Sequence, residues 1–200
     1  MKKYSSIILV LLFAVFANAQ TEDRALKISL QTDLIAYTTP GGWSAWLAIQ
    51  HHQNKLSFAY VNFPNRYGDY YDESALQELD QFFRIQYARY FKPDSKFKDF
   101  YLGANMEYHL RTLEEDNNTA TLEETGFKIA PIVGYEWHPW TSKENALSNL
   151  SLALWAGPTF LIGYDDELVF ENTGSIYEPR ENVEVSVGVL VSYTIFKNYK

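Results

Sequence analysis

Between Phe100 and Arg111 apolar and polar side chains alternate along the chain. Phe100, Leu102, Ala104, Met106, Tyr108 and Leu110 fall on one side, and Tyr101, Gly103, Asn105, Glu107, His109 and Arg111 on the other. A period of two belongs to a strand, whose successive side chains point to opposite faces; a helix would scatter the same residues around its axis. The pattern recurs at both ends of the chain. Leu26, Ile28, Leu30, Thr32, Leu34 and Ala36 alternate with Lys27, Ser29, Gln31 and Asp33, and Val183 to Ile195 alternates with Glu184, Ser186, Gly188, Ser192 and Thr194. Fitted throughout, the template predicts strands near 25–36, 43–51, 55–63, 81–91, 100–111, 126–137, 150–163 and 183–196.

Eight strands of about 9 to 14 residues exceed the usual 5 or 6 of soluble sheets and match what a tilted strand needs to cross hydrocarbon. Their apolar faces carry almost no charge, apart from Arg89 near a strand end, whose long side chain can snorkel to an interface. The links after the third, fifth and seventh strands, Pro64 to Asp80, Thr112 to Thr125 and Tyr164 to Asn182, are long and polar, whereas His52 to Asn54 is a tight turn. That asymmetry is the one found between the two rims of outer-membrane barrels. Tyr87, Tyr90, Phe91, Trp137 and Trp140 are expected as an aromatic girdle at the inner rim.

Composition removes several classes. The 200 residues carry 17 basic and 25 acidic side chains, a formal charge of −8, without the clustered Lys and Arg that nucleic acid requires. Cysteine is absent, so disulfides, thiolate metal sites and thiol nucleophiles are out. The mean hydropathy of −0.27 argues against helical membrane spans, but a barrel of alternating strands averages near neutral as well. Residues 1–19 read as an export signal: Lys2 and Lys3, an apolar run from Ile7 to Ala17, and Ala17-Asn18-Ala19 for the peptidase. Cleavage before Gln20 leaves 15 basic against 25 acidic side chains, −10, on a barrel domain of residues 20–200.

The signal, the eight alternating strands, the long odd-numbered loops and the final strand ending Tyr193-Thr194-Ile195-Phe196 resemble the small eight-stranded outer-membrane β-barrels of Gram-negative bacteria, of the OmpA/OmpX kind. The resemblance implies an all-β, antiparallel, up-and-down transmembrane barrel. It would be a monomer at the cell surface, with membrane lipid, lipopolysaccharide and the outer-membrane assembly machinery as partners. The terminal Lys197-Asn198-Tyr199-Lys200 departs from the aromatic end common in that family. The family's members anchor, adhere or modify lipid, so the resemblance does not fix a function.

Inside such a barrel the polar faces would meet. Lys27, Asp33, Arg84, Glu107, Arg111, Lys128, Glu136 and Glu184 are expected there, with Arg84 opposite Glu107 and Lys128 on the next strand. A buried ion-pair network of Arg84, Glu107, His109, Arg111, Lys128 and Glu136 follows, and a gated ion path or narrow selective pore is the alternative. No catalytic residue, cofactor or metal site is predicted. His51, His52, His109 and His138 show no metal spacing, and His51 and His52 on one strand would face opposite ways. Lipid deacylase barrels carry a His-x-Ser pair, where this chain has His109-Leu110-Arg111.

Two further features suggest function. The external segment around Tyr67, Tyr70 and Tyr71 mixes aromatics with acids and suits glycan, lipopolysaccharide or protein, while Glu114-Glu115-Asp116 and Asp165-Asp166-Glu167 could bridge divalent cations. Pro131 and Pro158 fall inside adjacent predicted strands, where each removes a ladder donor. This resembles the lipid A palmitoyltransferase barrel and implies, as an alternative function, a lipid A-modifying enzyme with lateral lipid access at these prolines.

Overall fold

The computed structural model describes residues 26–67, 76–91, 96–97, 99–115, 121–140, 146–164, 168–170, 176–177 and 183–198. The expected export signal lies outside them. Eight antiparallel strands close into a barrel in up-and-down order. They are β1 (Leu26–Asp33), β2 (Trp43–His51), β3 (Asn54–Tyr67), β4 (Leu76–Tyr90), β5 (Phe100–Glu115), β6 (Thr121–Trp137), β7 (Leu150–Ile162) and β10 (Val183–Asn198). A separate hairpin of β8 (Leu168–Val169) and β9 (Ile176–Tyr177) lies in the link between β7 and β10. We call the rim holding Leu26 and Asn198 the terminal rim and the opposite one the loop rim.

The strands are staggered. From Gln31, directly paired residues run through Trp46, Ala59, Arg84, Glu107 and Lys128 to Leu161 on β7. The other way round, Gln31 leads through Ser192 to Ser151, ten residues lower on the same strand. Such an offset is the shear that tilts strands in a closed barrel.

Side-chain parity follows the alternation. On β5, Asn105, Glu107, His109 and Arg111 are buried while Leu102, Met106, Tyr108 and Leu110 face outward. Among the described residues 19 buried ones are polar or charged against 16 apolar, so the polarity of a water-soluble protein is inverted. Trp155 and Tyr101 each lie over the glycine directly paired with them on the neighbouring strand: a Cβ on Gly188 would stand 2.1 Å from the Trp155 indole nitrogen, and one on Gly134 equally close to the Tyr101 ring.

Several boundaries differ from expectation. β1 ends at Asp33 because its carboxylate accepts a hydrogen bond from the Ile35 amide (3.0 Å) and starts a 3-10 turn over Leu34–Thr38. Ala36, expected on the outer face, is thereby fully buried. In the other direction β3, β4, β5 and β6 extend through much of the expected loops, to Tyr67, from Leu76, to Glu115 and from Thr121. Above the apolar band both faces of these strands carry polar residues, so the alternation that marks a strand is lost there. Tyr90, expected in the outer girdle, points into the lumen because it shares the parity of Arg84 and Ala88. His52 sits in the β2–β3 turn with φ of 54° rather than on the strand, and its ring packs 4.2 Å from that of His51 instead of facing away.

Candidate functional site

The buried charges gather in the lumen, carried there by the inward parity of each strand. Arg84 on β4 lies directly across from Glu107 on β5, and Glu107 from Lys128 on β6, as expected. Nε and Nη2 of Arg84 both donate to Glu107 Oε1 at 2.8 Å, and Nη1 stands 3.9 Å from Asp33. The guanidinium is surrounded by rings, with its carbon 4.9 Å from Trp155, 5.0 Å from Phe82 and 5.2 Å from Trp46. The aromatic faces compensate part of the cation's lost hydration.

His109 continues the chain of pairs. Nε2 contacts Glu107 Oε2 and Nδ1 contacts Asp80 Oδ1, both at 2.8 Å, and Phe82 stacks on the ring at 4.5 Å. Both nitrogens lie against carboxylate oxygens, so Asp80 and Glu107 fix the orientation of the ring.

Tilted strands carry the members of the expected network to different heights. Arg84, Glu107 and His109 join Asp33 and Asp80. Arg111 pairs with Glu124 at 2.5 Å, Lys128 with Glu184 at 3.1 Å, and Glu136 with Lys55 at 3.0 Å. Glu136 also accepts from Tyr90 and from Ser151 (2.6 Å). The sequence reading missed Lys55, Asp80 and Glu124. Lys55 was legible from parity alone, whereas Asp80 and Glu124 fell in segments expected to be loops.

The prolines are both described. The β6–β7 ladder pairs Ile129 with Phe160 and Val133 with Ala156, and it lapses between them. The register is unchanged across the lapse, so no bulge accounts for it, and Pro131 and Pro158 occupy directly opposing positions. Both face outward. Gly157 lies against this seam: a Cβ there would stand 1.9 Å from the Pro131 carbonyl oxygen. Of the external tyrosines, Tyr67 ends β3, and Tyr70 and Tyr71 lie outside the described residues. Glu114 is exposed near the end of β5, while Asp116 and the acids at 165–167 also lie outside.

No family model matches the chain, and no curated protein or solved structure is significantly similar to it.

Proposed function

We propose that this chain is an outer-membrane β-barrel with a structural or surface-interaction role. The observation that carries this reading is the barrel's inverted polarity, bounded by two aromatic rows. Near the loop rim Trp43, Tyr60 and Phe83 follow one another at 5.3 and 5.0 Å, and Tyr108, the register partner of Phe83, continues to Phe127 at 5.0 Å. Near the terminal rim Phe97, Phe100 and Tyr135 are spaced at 5.8 and 4.8 Å. Tyr108 and Phe100 are separated by eight residues of β5, roughly 27 Å of strand at about 3.4 Å per residue. At a tilt near 40° that is a band about 20 Å tall, close to the ~25 Å of membrane barrels. Between the rows Leu102, Ile129, Val133, Leu154 and Val187 are exposed, a surface that water would penalise and lipid would not.

The surface role rests on the tall side of the barrel. β2 pairs with β3 only as far as Asn62, and β7 with β6 only as far as Phe127. Above these points β3 to β6 continue as a four-stranded sheet, with β3 and Thr121–Gly126 of β6 as its edges. Open edges can accept another strand or be covered by a partner. Heat-modifiable migration on gels, together with membrane fractionation, tests the proposal. A protein that stays soluble and monodisperse without detergent would overturn it.

The opposed prolines favour a second reading, a lipid A-modifying enzyme with lateral access at the seam. Mass spectrometry of lipid A from cells with and without the gene decides it: identical lipid profiles reject the enzyme.

A further inference from the structure

We propose that the terminal mouth of the lumen binds a dianionic phosphate group between Lys27 and Lys197. The two lysines are direct cross-strand partners on β1 and β10. Lys27 shares the inward parity of Ser29 and Gln31, and a register shift between Ile28 and Ser29 brings Lys197 onto that face while Ile195 and Phe196 both remain exposed. Two like charges directly opposite destabilise a sheet unless something neutralises them. Among the described residues no hydrogen bond or ion pair reaches either lysine.

Among the described residues no carboxylate forms an ion pair with either lysine. Following the row past Lys27 leads to Gln50 and then Lys55, and Lys55 is the residue that takes Glu136. Tyr90 and Ser151 fill the rest of that carboxylate's coordination. His138, just past β6, feels the charges of Lys27, Glu136 and Asp99 together. Asp99 and Glu136 are the described carboxylates whose charge reaches His138, and neither forms an ion pair with Lys27 or Lys197.

Two ammonium groups call for two negative charges on one small ligand. A phosphate monoester or inorganic phosphate near neutral pH carries close to that charge and offers several acceptor oxygens to the six N–H donors. A lone carboxylate would leave one lysine unmatched. The site requires only the barrel's register, so it does not depend on where the protein resides.

The test uses the full folded chain in non-ionic detergent at pH 7.5, compared by thermal unfolding and calorimetric titration in sodium phosphate and in sodium chloride of equal ionic strength. Phosphate is expected to raise the unfolding midpoint above that in chloride. Lys27→Gln and Lys197→Gln should each weaken phosphate binding about tenfold or more and melt higher than wild type without phosphate, because the repulsion is gone. Lys27→Arg should retain binding. A parallel arm replaces inorganic phosphate with phosphatidic acid in the micelles: stabilisation by both identifies a free phosphate-group site, and by phosphatidic acid alone a lipid monoester site. Equal midpoints in all anions, or phosphate stabilisation unchanged in both glutamine variants, would overturn the proposal.

Discussion

Pro131 and Pro158 stand directly across from each other on β6 and β7, and the ladder lapses at that point alone between its flanking pairs Ile129–Phe160 and Val133–Ala156. Each proline removes one donor, so the seam lacks both N–H groups of a single opposed pair. Replacing both by Val restores two hydrogen bonds. The double variant is expected to be more stable by about 1–3 kcal/mol, at about 0.5–1.5 per bond, with slowed amide exchange at Ile129 and Val133, whose N–H groups share the seam-facing parity of position 131. Unchanged exchange there would show that the prolines do not open the seam. Gly157→Ala should act oppositely, since its Cβ would collide with the Pro131 carbonyl oxygen at 1.9 Å.

Arg84 and Glu107 are buried partners in an aromatic setting. Arg84→Met leaves Glu107 without its guanidinium partner and is expected to cost about 3–5 kcal/mol, as is Glu107→Gln. The Arg84→Met/Glu107→Leu pair should cost much less than the sum of its single changes. Additive losses in urea unfolding would mean that the contact carries no coupling.

Asn105 is buried with both amide atoms unpaired, beside Gln86, whose Nε2 is also unpaired. Leaving polar atoms unmatched costs about 1–3 kcal/mol, so Asn105→Leu, of similar volume, should be neutral or stabilising by about that much. A clear loss in the unfolding midpoint would reveal a partner for the amide.

His138 titrates below the ordinary histidine range. Partial loss of hydration has the largest effect, opposed by Glu136 and reinforced by Lys27. With its folded value depressed, the histidine's contribution is intact above the unfolded value of about 6.5 and is lost as pH falls through the folded one. Acidification from pH 7.5 should therefore destabilise wild type more than His138→Gln. Parallel pH profiles of the two proteins would refute this.

The alternation of residues such as Leu102, Glu107 and His109 determined that strands form and which face of each is polar, because parity is a local property of the chain, and the modest link over 92–99 set Arg84 opposite Glu107. Tyr90 and Lys55 were within reach of the same rule. Partner choice was not: Glu136 takes Lys55, 81 residues away, and Lys128 takes Glu184 rather than its neighbour Glu107. Those contacts depend on the shear that sets each strand's height, and the exact opposition of Pro131 to Pro158 and of Lys27 to Lys197 depends on it too. Shear is a property of closure, fixed only when all eight strands pair at once, so it is absent from any single stretch of sequence.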